Sequence, residues 1–427
     1  MSPRPAVNSF LSLAFTVVLA GCAQLGPSSS VPKGSVDSAQ YPNLFAQAGY
    51  GPDEIARKNE STFQQLFHGD SNEQAVYYPA GSNGQGPLAY ILDVNNNDVR
   101  SEGMSYGMMI AVQLNKKKEF DAIWNWAKTH MYHTRADHPA RGYFAWSVKS
   151  NGEPIDEMPA PDGEEYFVTA LYFAAGRWGN GEGIYDYRAE ADRILTDALH
   201  RKPITGMTNR GEMTAVNLFD TTTKMVRFTP DVTHSGHTDA SYHVPAFYEV
   251  WSRVGPQADR AFWREAAQVS RGYLYRSAHP LTGLTPDYGN FDGTPWAAPW
   301  REDSVDFRYD AWRTAMNWSV DWSWWRMDPR QVELSNRIQA FFEAEGLGTY
   351  GSLYSLDGRK LGGKPTVGLV AMNATASLAA DHPRRYEFIK ALWARPVPSG
   401  RDRYYDGMLY LMALLHCSGE FKAWLPE

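Results

Sequence analysis

The chain has 427 residues, 43% hydrophobic and 21% charged, an ordinary globular composition long enough for one large domain or two to three small ones. Its net charge is −7 and its longest basic run is Lys116, Lys117 and Lys118, which reads as a solvated turn and argues against a nucleic-acid partner. The 14% aromatic share, with 15 Trp and 24 Tyr, fits either stacking on sugar rings or a large core.

The N-terminus reads as a targeting segment. Arg4 precedes an apolar stretch from Phe10 to Ala20, too short for a permanent membrane span, which ends in Leu19-Ala20-Gly21-Cys22. That ending resembles a bacterial lipobox, so residues 1–21 are expected to be a lipoprotein signal peptide and Cys22 its lipidated residue. A simple secretory peptide cut nearby is the alternative. Export to the periplasm or cell surface follows, the membrane being reached only through the lipid anchor at the bacterial outer membrane. Residues 22–39, rich in Ser, Gly and Pro, are expected to form a flexible tether to one catalytic domain, 40–427. Cys417 lies in an apolar run and is expected to be a buried small hydrophobe, so the domain has no disulfide.

From about residue 40 onward the dominant pattern is the amphipathic helix. Helices are predicted over 53–67, 103–115, 118–131, 163–178, 186–200, 240–253, 257–277, 310–326, 329–345, 366–380, 384–394 and 404–416. Phe120, Ile123, Trp124 and Ala127 show the spacing. Pro329 and Pro383 stand at helix starts, where a missing N–H is harmless. Strand-like stretches at 76–79, 143–148 and 225–228 are short and scattered. Short and long connections alternate, which suggests stacked helical hairpins; an all-α (α/α)6 barrel of six hairpins closes a single domain of this size.

Three acidic segments lie at or just before predicted inner-helix starts, which in a toroid brings them to one end. The first is R-S-E-G-M-S-Y-G-M-M at 100–109, with Ser101 as a candidate N-cap and Glu102 at the mouth of an apolar helix. Glu102 can be a capping carboxylate or a general acid. The helix N-terminus lowers its pKa while burial against Met104 and Tyr106 raises it, and the acid role requires burial to win. The second is P-A-P-D-G-E-E-Y-F at 159–167, where Asp162 is an N-cap or a charge beneath a sugar ring. The third is D-F-R-Y-D-A-W-R at 306–313, where Asp303, Asp306 and Asp310 compete and Asp310, between Tyr309 and Trp312, can activate a water. Separated carboxylates among Trp and Tyr are what glycosidic hydrolysis requires.

Other constellations are weaker. His234, His237 and His243 near Asp239 match no zinc spacing, so no metal is expected. Asp93-Val-Asn95-Asn-Asn97 opens like a calcium loop, but Met104 stands where the bidentate Glu belongs. Phosphate-cradling, dinucleotide and nucleophile-elbow motifs do not occur.

Taken together, R-S-E-G-M-S-Y-G-M-M, G-Y-F-A-W-S at 142–147, P-A-P-D-G-E-E-Y-F, D-A-S-Y-H-V-P-A-F-Y at 239–248, R-Y-D-A-W-R at 308–313 and R-Y-Y-D at 403–406 resemble glycoside hydrolase family 8, nearest its xylan-active branch. The resemblance implies an (α/α)6 barrel, an inverting mechanism and no cofactor. It assigns Glu102 as general acid, Asp310 as general base, Asp162 to holding the sugar distorted, and Tyr242 to the attacking water. It also makes Trp146 a stacking platform, places Arg313 beside the base, and gives Tyr404 or Tyr405 a product-side subsite. The implied activity is cleavage of β-1,4-xylosidic bonds in xylan or xylo-oligosaccharides, with xylose released from the reducing end, by a monomer. One departure matters. Exo-acting members carry a Leu-His-Pro loop before V-G-L, and here the stretch is Gly362-Gly363-Lys364-Pro365-Thr366. An open cleft with endo cleavage is therefore an alternative, as is the same chemistry on β-glucan or chitosan. A lipoprotein that binds glycan without cutting it is the reading from another class.

Overall fold

The helices of this computed structural model, which describes residues 33–427, are of two kinds. After two one-turn helices, α1 (Ser35–Ser38) and α2 (Leu44–Gln47), come α3 (Pro52–His68), α4 (Ser101–Gln113), α5 (Lys117–His130), α6 (Pro161–Trp178), α7 (Tyr187–His200), α8 (Pro245–Val254) and α9 (Arg260–Ser277). Then follow α10 (Thr314–Trp325), α11 (Arg330–Ala344), α12 (Val367–Thr375), α13 (Arg385–Trp393) and α14 (Tyr405–Cys417). The even-numbered helices from α4 to α14 are buried on nearly every face. Their odd-numbered neighbours bury one stripe, as the amphipathic spacing of Phe120, Ile123, Trp124 and Ala127 requires.

Packing explains the division. α4 packs on α6, α6 on α8, α8 on α10, α10 on α12 and α12 on α14, and α14 returns to α4, closing an inner ring. Each inner helix is backed by an outer one: α4 by α5, α6 by α7, α8 by α9, α10 by α11, α12 by α13 and α14 by α3. This is the expected (α/α)6 barrel. An inner helix touches both ring neighbours and its outer partner, so no face is left for solvent. Trp124, Trp251, Trp263, Trp318 and Trp324 are fully buried, so much of the aromatic share is core.

All strands among the described residues lie where an outer helix leads into an inner one. They are β1 (Tyr77–Asn83) and β2 (Gly86–Ile91), then β3 (Val99–Arg100), β4 (Ser147–Val148) and β5 (Pro154–Asp156) as one antiparallel sheet. Next come β6 (Ile204–Thr208) and β7 (Gly211–Ala215) as a hairpin, β8 (His237–Asp239) paired with β9 (Tyr288–Asn290), and β10 (Leu353–Tyr354) paired with β11 (Lys360–Gly362). The long connections therefore gather at the N-terminal end of the inner ring and build walls there. The opposite end is closed by short turns.

The structure differs from expectation at four places. Of the expected tether, residues 33–39 are not free chain: Ser35 is buried, and a Cβ on Gly34 would sit 2.0 Å from the Trp324 carbonyl oxygen, so α1 docks on α10. The rest of the tether, the signal segment and Cys22 lie outside the described residues. Ser101 is not an N-cap but the first residue of α4; its amide donates to the Trp146 carbonyl at 3.0 Å and its Oγ has no hydrogen-bond partner. Residues 225–228 make only an isolated bridge, Phe219 to Val226. The helix expected over 240–253 begins at Pro245, preceded by the 3-10 turn Ala240–Tyr242 that the Asp239 carboxylate caps through the Ser241 amide at 2.7 Å.

Candidate active site

Glycine sets how closely the inner helices meet at the strand-bearing end. A Cβ on Gly163 would lie 2.4 Å from Ser101 Oγ, so the first turn of α6 rests on the first turn of α4. A Cβ on Gly103 would lie 2.6 Å from the Tyr404 ring, so α14 does the same from the other side. These approaches bring Glu102 and Asp162, the acidic residues of two helix starts, to one place.

Arg313, in the 3-10 turn Ala311–Arg313 ahead of α10, is buried among them. Its Nη1 donates to Asp162 Oδ2 at 2.8 Å and to the Tyr106 hydroxyl at 2.6 Å, and lies 3.1 Å from Glu102 Oε2. Its Nη2 donates to Asp310 Oδ1 at 3.2 Å. One guanidinium thus holds a carboxylate from each of the three acidic segments. Because Glu102 and Asp310 grip different nitrogens of one planar group, these two oxygens stand no more than about 9 Å apart.

The electrostatics of Glu102 follow from this crowding. Burial is the largest influence on Glu102; the charges of Asp162 and Asp310 add to it and outweigh the pull of Arg313 and Arg100, so its carboxyl is pushed up to about 7. The conflict at this helix start is resolved in favour of burial. Tyr404 donates its hydroxyl to Glu102 Oε1 at 3.1 Å. Burial also raises Asp162, against the Arg313 ion pair and the Gly163 amide that donates to it at 2.9 Å. Tyr242 stands close to Asp162, Asp239 and Asp310; burial and those charges hold its phenol protonated, well above the usual range. Asn317 fixes the turn that presents Tyr242 by donating to the Ser241 carbonyl at 2.7 Å.

A cleft of about 690 Å³ runs over this centre. Glu102, Asp162, Asp310, Tyr242, Trp146 and Arg313 all line it, so six of the expected site residues share one cavity. Trp146 is carried at the start of β4, with the Arg100 guanidinium 5.5 Å from its ring centroid. The remaining two stand elsewhere. Tyr404 is buried beneath Glu102 and is no part of the lining, so its position is that of a partner to Glu102 rather than of a residue facing the cleft. Tyr405 donates its hydroxyl to the Tyr309 carbonyl at 2.7 Å, tying α14 to the residue before Asp310. Of the competing carboxylates, Asp303 pairs with Arg308 near the surface and Asp306 is half-exposed.

Sequence reasoning missed several lining residues. Asp156 and Met158 come from β5 and the loop after it, Arg210 and Met213 from the β6–β7 hairpin, and Trp300, 50% exposed, and Arg301 from the loop ahead of α10. None lies in a helix-start motif, so no local pattern marks them. His234 pairs with Asp231 at 2.7 Å, His237 stacks on Trp296 at 3.6 Å, and His243 is bound to Ser270 at 2.8 Å, so these three converge on no common point. The one His/carboxylate group among the described residues with metal-like spacing is His133, His138 and Glu157. There the Ala140 amide donates to His138 Nδ1 at 3.1 Å, which leaves the ring proton on Nε2, facing Glu157 rather than a cation. Asp93 caps its own loop through the Asn95 amide at 2.9 Å and pairs with Arg100 at 3.3 Å.

Comparison with known proteins decides the family. The family model described as Glycosyl hydrolases family 8 matches residues 90–419. The chain belongs to glycoside hydrolase family 8. A family 8 enzyme of Teredinibacter turnerae, solved as a xylobiose complex, is 62% identical and superposes with a TM-score of 0.91, covering 92% of this chain and 100% of that one. The reducing-end xylose-releasing exo-oligoxylanase Rex8A of Paenibacillus barcinonensis is 44% identical over 395 residues, 92% of this chain and 99% of its own. A reducing end xylose-releasing exo-oligoxylanase of Halalkalibacterium halodurans is 42% identical over 405 residues, 92% of this chain and 97% of its own. This family 8 chain is accordingly a glycoside hydrolase similar along nearly its whole length to xylan-active enzymes.

Proposed function

We propose that the chain hydrolyses β-1,4-xylosidic bonds of xylo-oligosaccharides or xylan with inversion, releasing xylose from the reducing end. The observation that carries this reading is that Glu102 and Asp310 grip different nitrogens of Arg313 in one cleft, their oxygens no more than about 9 Å apart, below the upper limit of about 9.5 Å for an inverting pair. Glu102, its carboxyl at about 7, delivers its proton to the glycosidic oxygen as the C1–O bond breaks. Asp310 takes a proton from a water, which attacks C1 from the opposite face; the protonated Tyr242 donates to that water. Asp162, fixed by Arg313 and its own helix start, places negative charge under the ring as oxocarbenium character develops. Trp146 offers a stacking face on the cleft wall, and Arg313 holds the carboxylates apart and in register. In this reading the enzyme is a monomer exported by its N-terminal segment and anchored through Cys22.

A second reading, endo cleavage, has one observation in its favour. Leu361, Gly363 and Lys364, where exo relatives carry a blocking loop, are exposed at the end of β11 and do not line the cleft. The Teredinibacter turnerae enzyme has also been solved as a catalytic mutant complex described as a xylanase with xylohexaose, again at 62% identity. Product profiling on reducing-end-labelled xylohexaose tests both. Early release of labelled xylose alone is the expected exo result; a spread of labelled intermediates establishes endo action; no cleavage of xylo-oligosaccharides, with turnover of β-glucan or chitosan, overturns the assignment.

A further inference from the structure

The general base has a second support that no catalytic motif contains. Asp287, at the residue before β9, is fully buried and uses both carboxylate oxygens. Oδ2 accepts from Arg301 Nη2 at 2.6 Å, and Oδ1 accepts from the amide of Ala311, the residue directly after Asp310, at 3.0 Å. Arg301 turns its other terminal nitrogen to Asp310 Oδ2, at 3.7 Å, and donates from it to the Tyr288 hydroxyl at 3.2 Å. The backbone of Asp287 is pinned as well: its amide donates to the Asp306 carbonyl at 3.1 Å, and its carbonyl accepts from Ala240 at 3.2 Å.

We propose that Asp287 is the positioning residue of the general base, fixing the peptide that carries Asp310 and holding Arg301 as a second cation on the Asp310 oxygen that Arg313 does not reach. The inference rests on Asp310 being the base. Its physical logic is a division of labour. Arg313 is shared among three carboxylates, so it cannot by itself orient one of them. Arg301 approaches the second oxygen, and Asp287 decides where Arg301 points. Burial and the neighbouring Asp310 push the Asp287 carboxyl up to about 8, while Arg301, the Ala311 amide and Arg308 act the other way and favour its anionic form. Asp239 stands nearby, its carboxyl raised by burial and by the neighbouring Asp310, and Asp303 meets Arg301 at 3.6 Å. Asp287 itself does not line the cleft.

The test is a pair of variants in the full enzyme, each with kcat, KM and the acid limb of kcat/KM measured on xylohexaose. Asp287→Asn keeps the volume but places an amide against one of the two donors and removes a negative charge beside Asp310. It is expected to lower kcat about ten- to a hundredfold with KM within about threefold, and to move the acid limb to lower pH. Arg301→Gln removes a positive charge, so its acid limb is expected to move the opposite way, to higher pH. If Asp287→Asn does not fold, as judged by circular dichroism, Arg301→Gln alone carries the test. Wild-type kcat and acid limbs in the variants that fold, or limbs moving the same way in both, would overturn the proposal. Should Asp310→Asn keep its turnover, the assignment of the base falls instead, so the two failures are told apart.

Discussion

At Glu102 the decisive quantity is the balance between a helix N-terminus with Arg313 on one side and burial with two neighbouring carboxylates on the other. Burial wins and pushes the carboxyl up to about 7, which favours the protonated form that the proposed mechanism uses. In the proposed mechanism the active form is the protonated one, so kcat/KM is expected to fall as pH rises through about 7. Glu102→Gln and Asp310→Asn are each expected to lower kcat by roughly two to four orders of magnitude while the binding of xylo-oligosaccharide, read by calorimetry, survives. Turnover close to wild type in either variant would remove that residue from the mechanism. That Glu102 and Asp310 belong to one cleft was legible because each stands at or just before a helix start; the choice of Asp310 over Asp303 and Asp306 came from the family resemblance. Asp287, Arg301 and the Tyr404 contact to Glu102 were not legible. They reach the site from a strand edge, a loop and a neighbouring helix, and nothing in their local spacing separates them from surface turns or core.

Between elements, the inner ring is tied by polar contacts as well as by packing. Arg271 on α9 donates to Glu249 of α8 at 2.9 Å and to both oxygens of Asp321 on α10, at 2.7 and 2.8 Å, all buried. Gln331 of α11 adds a donor to Asp321 at 2.6 Å. Removing the cation leaves the buried Asp321 with Gln331 as its remaining donor and Glu249 with Arg253, so Arg271→Met is expected to cost about 3–5 kcal/mol, read from denaturant unfolding. A loss below about 1 kcal/mol would mean that packing alone holds these helices. Outer helices such as α5 show an apolar stripe in the sequence, and inner helices such as α4 and α14 a run of apolar residues after a long connection, so part of the alternation was legible. The start of α8 was not, because Pro245 and the Asp239-capped turn before it interrupt what reads as one continuous pattern. The docking of α1 was equally hidden: Gly34 and Ser35 are tether-like in composition, and only the closeness of Trp324 makes them part of the core.

For the whole molecule, the fold assigns one job to each end. Short turns close the C-terminal end of the inner ring, while the strands and long loops build a cleft over its N-terminal end, where the first turns of α4 and α6 and the turn ahead of α10 deliver Glu102, Asp162 and Asp310 to a single guanidinium. Ring closure was suggested by chain length and hairpin count and implied by the family resemblance, but which loops would form the cleft walls was not legible, since β6–β7 and the loop carrying Trp300 have no signature beyond their length. The central claim is that a protonated Glu102 and a water activated by Asp310 act from opposite faces of one sugar. The most direct measurement is proton NMR of the newly formed reducing end during the first turnovers on xylohexaose. The α-anomer appearing first, with the β-anomer growing only by mutarotation, is the predicted result; the β-anomer appearing at the outset would contradict it.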